Sequence, residues 1–224
     1  MSREHIASGI SQPHLWVHRL PNLGREGGTY LTHLLRNYDQ LATHTLFLQA
    51  SVHNERQMLR RLSEYFVAKT GFLSIGFSGE GCALGDCIDA WGWRDVYGHL
   101  PALYAMLYGA LPPAAKVSLS FKGQFVVSRR RVKGVGREVL EGLQKVLEGE
   151  ESEFARVDPP GWTQGEREGG KDNRSAPSWG YTLERAWGLV FRCADGRLVE
   201  SCGNLWAKRG EKELEACQCL DVSV

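Results

Sequence analysis

An α/β fold in a single domain is what these 224 residues call for, on three grounds. The length suits one core, since domains commonly hold about 100–200 residues and layered α/β folds grow larger. Apolar residues recur at helical spacing in several separate stretches, and short β-branched or aromatic runs lie between them. Hydrophobic residues make up 42% of the chain and charged residues 24%, with a net charge of +1. That balance excludes a wholesale polybasic character and leaves any nucleic-acid binding to a local patch. No apolar run approaches the ~18 residues that cross a bilayer, and the first ten residues lack the apolar centre of a signal peptide. A cytoplasmic protein without membrane association is therefore expected; the oligomeric state is not legible.

Residues 21–49 open the organised part of the chain. Asn22, Gly24, Gly27 and Gly28 frame Arg25 and Glu26, then Leu31, Leu34, Leu35 and Tyr38 follow on one helical face, and the run ending at Gln49 reads as a buried strand. The helix start, with Arg25 beside it, suits a phosphate or carboxylate; the alternative is a surface Arg–Glu pair in a glycine turn. Asn54 with Gln57 fits a capping box, and Met58, Leu59, Leu62, Tyr65 and Phe66 form the apolar stripe of the helix behind it. Its other face carries Arg56, Arg60, Arg61 and Lys69, either a solvated surface or a place for RNA phosphates.

Residues 70–93 are glycine-rich and read as a loop with short strands, after which Val96, Leu100, Leu103, Tyr104 and Leu107 resume a helical period until Pro112 and Pro113. Residues 119–127 read as a strand, with Gly123 marking a bulge or a close backbone approach and Ser128 capping the next turn. Arg129, Arg130, Arg131, Lys133 and Arg137 make the densest positive cluster. Val139, Leu140, Leu143, Val146 and Leu147 predict another helix, and residues 148–178, rich in Gly, Glu, Pro and Ser, predict a mobile loop within the one domain 1–224. Order returns near residue 178, where Leu183, Trp187, Val190 and Phe191 face a core and Glu184 and Arg185 are read at the helix start. Residues 197–224 suggest a short strand and a polar helix around 211–216.

Cys82, Cys87, Cys193, Cys202, Cys217 and Cys219 match neither the paired spacing of structural zinc nor a dense disulfide scaffold. Free thiols are expected, and no metal.

Three blocks, residues 21–49 with His53 shortly after, residues 121–132 (FKGQFVVSRRRV) and residues 180–191 (GYTLERAWGLVF), together resemble a fungal family long catalogued without a function. They are also distantly similar to GT-A-type glycosyltransferases, in which an Asn-x-Gly-Arg-acid element, a strand ending at the donor site and a late Glu-Arg helix line one cleft. The resemblance implies a GT-A-like, Rossmann-like α/β sheet with flanking helices, shortened at the N-terminus. It places Gln49 where such enzymes carry metal-binding acids and Glu184 where they carry a catalytic or acceptor-binding carboxylate. No Asp-x-Asp follows the strand, however; Gln49, Ala50, Ser51, Val52 and His53 stand there, and neutral groups hold Mg²⁺ or Mn²⁺ poorly.

Short fungal proteins similar to this chain are associated with arginine-containing cyclodipeptide synthases, which condense arginyl-tRNA and a second aminoacyl-tRNA into a diketopiperazine in secondary metabolism. The esters arrive activated, so this chemistry needs no metal or other cofactor, only positioning, proton transfer and oxyanion stabilisation. The resemblance implies Glu184 as general base or as partner of the substrate guanidinium. It implies Gln124 as a donor to the ester carbonyl, Arg25 as oxyanion or phosphate partner oriented by Glu26, and His53 as proton shuttle. Asn22, Tyr30 and Gln49 join Glu26 as substrate-binding residues, and Arg129, Arg130, Arg131 and Lys133, with Arg60 and Arg61, meet the RNA backbone. Each assignment has a plainer rival: a Glu184–Arg185 ion pair, a Gln124 that satisfies buried backbone, a His53 that ends a loop, a solvated arginine face. A glycosyltransferase or a non-catalytic relative are the alternative functions.

Overall fold

The computed structural model describes residues 16–76, 79–148, 177–202 and 214–222. They form seven helices, α1 (Arg25–Arg36), α2 (Glu55–Tyr65), α3 (His99–Tyr108), α4 (Arg129–Val135), α5 (Arg137–Leu147), α6 (Ser178–Val190) and α7 (Arg197–Ser201). Six strands accompany them: β1 (His44–Phe47), β2 (Thr70–Ser74), β3 (Gly81–Cys82), β4 (Val117–Ser118), β5 (Phe125–Ser128) and β6 (Cys219–Leu220). The main sheet has the order β1-β5-β2-β6, and β3 pairs with β4 in a small second sheet.

Every pairing is antiparallel. Because β1 and β2 both oppose β5, they run parallel to each other, and α2 is the crossover of a βαβ unit split by β5. The chain is thus mixed α/β, but the described strands do not make the doubly wound parallel sheet that a Rossmann-like layout implies. No described helix is long and apolar enough to cross a membrane.

Alternation along the central strands sends side chains to two cores. Phe72, Phe125 and Val127 join Leu31, Leu34, Leu103, Leu140, Leu143, Leu183 and Trp187 from α1, α3, α5 and α6. Leu73, Ile75 and Val126 meet Met58 and Tyr65 of α2 on the other face. Glycine lets α1 approach closely: a Cβ on Gly27 would lie 3.1 Å from Leu147 Cδ1 and 3.2 Å from Leu183 Cδ2. The glycines around Arg25 and Glu26 therefore serve helix packing.

Several expectations need correction. The stripe of α2 holds at Met58, Leu62 and Tyr65, which turn inward, but Arg61 joins them while Leu59 is 50% and Phe66 42% exposed. Asn54 sits at φ 53 with no side-chain cap bond, so the capping box does not form. The predicted strand 119–127 breaks at Lys122 and Gly123, whose φ values of 65 and 55 make a tight turn, and only Phe125–Ser128 pairs in the main sheet. Helix α3 starts at His99, where Asp95 accepts from the His99 and Leu100 N–H groups at 3.0 and 2.8 Å, and ends in left-handed Gly109 before the prolines. Helix α5 lies where its period places it, and Ser128 caps α4 by accepting from Arg131 N at 3.1 Å. Glu184 stands in the middle of α6 and not at its start. Of the predicted loop 148–178, residues 149–176 lie outside the described residues, as do residues 211–213 of the predicted C-terminal helix, which shows only a 3-10 turn, Leu214–Ala216.

The cysteines are not free thiols. They pair as Cys82–Cys87, Cys193–Cys219 and Cys202–Cys217, the last bridge nested inside the second. Nesting brings distant segments together, which is why spacing along the chain did not reveal it.

Candidate functional site

The first turns of α1, the chain just past β1, the Lys122–Gly123 turn and the middle of α6 converge on one point. Glu26 arrives from α1, with Gln49 Nε2 donating to its Oε1 at 2.9 Å and Arg25 Nε 3.8 Å from its Oε2. Arg25 has left-handed backbone, φ 54, and its guanidinium lies over the Tyr181 ring at 4.6 Å. Glu184 arrives from α6 and is fixed by the turn: Lys122 N–H donates to its Oε1 at 2.8 Å, and Ser120 Oγ donates to its carbonyl at 2.8 Å.

Close to both carboxylates stands Tyr30, one helical turn after Glu26. Its ring packs against Phe47 at 4.6 Å, Phe125 at 6.0 Å and Trp187 at 6.1 Å. The residue is 5% exposed and its hydroxyl has no hydrogen-bond partner among the described residues. Burial, then the charges of Glu26 and Glu184, push the phenol pKa well above its ordinary value. The hydroxyl therefore keeps its proton at any working pH. Gly123 packs directly beside it: a Cβ there would lie 3.3 Å from Glu26 Cγ, a tight contact, and 3.5 Å from the Tyr30 hydroxyl, an ordinary one.

Below this point Arg185 holds the floor, in partnership with Asp89 and not with Glu184. Its Nε and Nη2 donate to Asp89 Oδ2 at 2.8 and 2.6 Å, and its guanidinium lies 4.4 Å from the Trp93 ring centre and 5.5 Å from that of Phe121. Asp89 Oδ1 accepts from Trp91 N and Trp93 N, each at 2.9 Å. No sequence pattern announced Asp89; the WGW segment after it was the nearest signal.

Of the sequence candidates, Glu26, Glu184, Arg25, Gln49 and Tyr30 come together. Gln124 does not join them. It is 1% exposed, accepts from His53 N at 2.7 Å and donates to His53 O at 3.1 Å, so its amide straps a loop to β5. His53 contributes its backbone to that strap, and its side chain is exposed. Asn22 is exposed ahead of α1.

The basic residues separate. Arg61 is 2% exposed, donates to Cys202 Sγ and lies over Tyr65, which removes it from any RNA face. Arg131 turns inward to the carbonyls of Phe191, Arg192 and Leu220 at 3.0, 2.6 and 3.1 Å and to Asp221 at 3.3 Å, a structural clamp. Arg60 pairs with Glu64 at 3.2 Å, and Arg130 donates to Val222 O. Lys133 and Arg137 share Asp39, each at 3.2 Å, and the Tyr38 ring. Arg129 is exposed. Among the described residues no group of three or more His, Cys, Asp or Glu side chains could hold a metal ion.

Compared with known proteins, the chain matches the model of a family described as a protein of unknown function (DUF3431), over residues 10–202. No curated protein and no solved structure matches it.

Proposed function

We propose that this chain, which belongs to the DUF3431 family, is a tRNA-dependent cyclodipeptide synthase that joins arginine and a second amino acid from their aminoacyl-tRNAs. The observation that carries this is the convergence of Glu26 and Glu184, distant in sequence, on the Lys122–Gly123 turn beside the Tyr30 hydroxyl. The resemblance of the three sequence blocks supplies the substrate. The α-amine of one aminoacyl ester attacks the carbonyl carbon of the other; a carboxylate takes the amine proton, the C–O bond to the ribose breaks, and the proton leaves on the ribose oxygen. The amine of the resulting dipeptidyl ester repeats the step on its own ester, closes the ring and frees the second tRNA. Nothing is oxidised or reduced, and each proton returns.

Two carboxylates divide two tasks. Glu184, held by Lys122 N–H on one oxygen, is the base. Glu26 already faces a guanidinium, that of Arg25 stacked on Tyr181, and so is suited to the substrate's guanidinium. Arg129, Arg130 and Lys133, with Arg60, remain for the RNA backbone once Arg61 and Arg131 are set aside. The test is incubation with charged tRNAs and mass spectrometry for arginine diketopiperazines. Product is expected from the native chain, with a loss of about 10²–10⁴-fold in Glu184→Gln; no product with any pair that includes arginyl-tRNA refutes the proposal.

A second reading is favoured by the three disulfides. Such bridges persist in oxidising compartments, whereas charged tRNAs belong to the cytosol. A GT-A-like glycosyltransferase, or a non-catalytic relative, working in an oxidising lumen fits that chemistry. A thermal shift with a nucleotide sugar, measured with and without Mn²⁺, tests it.

A further inference from the structure

We infer that the Tyr30 hydroxyl is a catalytic hydrogen-bond donor, aimed at the carbonyl oxygen of a bound acyl group. A buried hydroxyl without a partner is an exception that calls for one, and that of Tyr30, a residue only 5% exposed, finds none among the described residues. The ring is immobilised by Phe47, Phe125 and Trp187, so the hydroxyl is set in place before any ligand arrives. The backbone beside it is glycine with φ 55, so no side chain of residue 123 stands against the hydroxyl.

The charges around it choose the acceptor. With Glu26 and Glu184 alongside, a phosphate or free carboxylate is repelled, whereas a neutral ester carbonyl is admitted. As the attacking amine gives its proton to Glu184, one negative charge disappears from the site while another grows on the carbonyl oxygen. The Tyr30 hydroxyl then donates to that oxygen without transferring its own proton, and releases it when the C–O bond breaks. For its substrate this rests on the acyl-transfer reading above; the donor role itself does not.

Two measurements separate the two. Tyr30→Phe keeps the ring, so its thermal midpoint should stay close to that of the native chain. Its turnover should fall by about 10²–10³-fold at unchanged KM for charged tRNA. Independently, protein carrying ¹³Cζ-tyrosine is titrated with L-arginine methyl ester, the Tyr30 resonance being the one absent from Tyr30→Phe. That resonance should shift with the ester and stay put with agmatine, which lacks the carbonyl. A shift with the ester in a protein that makes no diketopiperazine sustains the donor role and sinks the synthase reading alone. A resonance unmoved at the highest soluble ester concentration, or native turnover in Tyr30→Phe, overturns the inference.

Discussion

Opening the disulfides perturbs this fold more than any change at the candidate site. Cys82–Cys87 closes a separation of 5 residues, Cys202–Cys217 one of 15 and Cys193–Cys219 one of 26. In the chain-entropy picture, loops of these sizes stabilise the native state by about 2, 3 and 3.5 kcal/mol. The second lies inside the third, so their sum overcounts, and about 7 kcal/mol is a fair total. A whole domain is stable by only about 5–15 kcal/mol. Reduction should therefore remove half or more of the stability, which bears directly on where the protein can work. The assay is urea unfolding followed by tryptophan fluorescence, with and without reductant, beside the Cys193→Ser/Cys219→Ser variant. That variant should lose about 3 kcal/mol, a fall in Tm of about 6–12 °C for a chain of this size. The oxidised protein should also weigh six hydrogens less than the fully reduced chain. Equal stability in the two redox states would refute the reasoning and remove the obstacle to cytosolic tRNA chemistry.

Other changes have defined outcomes. Arg131→Ala strands three carbonyls and Asp221, and the side chain is only 18% exposed, so calorimetry should show a loss of about 2–4 kcal/mol, while Arg129→Ala stays within about 0.5 kcal/mol. Gly123→Ala must hold φ 55 with a Cβ against Glu26 and Tyr30; about 1–2 kcal/mol of strain is expected by urea midpoint, with a larger proportional loss of activity. Burial, with Tyr104 beside it, pushes the Tyr108 phenol up to about 12, and Tyr30 is raised as well. Both folded values exceed the unfolded value of about 10, so this stabilisation is complete below pH 10 and disappears as pH climbs toward 12. Urea midpoints across pH 9–12 should fall, and less steeply in Tyr108→Phe.

Helices with a clear apolar period were legible: α1, α5 and the core face of α6 lie where Leu31, Leu34, Leu140, Leu143, Leu183 and Trp187 place them. Helix α2 was read in place but misassigned at three positions: Leu59 and Phe66 were credited with burial and Arg61 was not, although a long side chain can bury its stem and end on a buried sulfur. Strand β2 was submerged in a glycine-rich stretch; covered on both faces, it shows no alternation to mark it. The site was half legible. Glu26 and Tyr30 stand four residues apart on one helix, which spacing reveals. The arrival of Glu184 depends on a tight turn at Lys122 and Gly123, and the Asp89–Arg185 pair spans 96 residues.

The arginine run shows why density along a chain is a poor guide to density in space. Successive residues of a helix diverge by about 100°, so Arg129, Arg130 and Arg131 leave α4 in three directions. One faces solvent, one reaches the backbone at Val222, and one clamps β6 and the end of α6. What composition presents as one patch for phosphates becomes an inward clamp at Arg131 beside cations that stay at the surface. The acidic pair does the reverse: Glu26 and Glu184 are far apart in sequence and ordinary in context, yet the fold brings both to the turn beside one buried hydroxyl. Leaving a buried hydroxyl without a partner costs stability, whereas spreading a guanidinium over carbonyls gains some. That asymmetry is why function is sought at Tyr30 and fastening at Arg131.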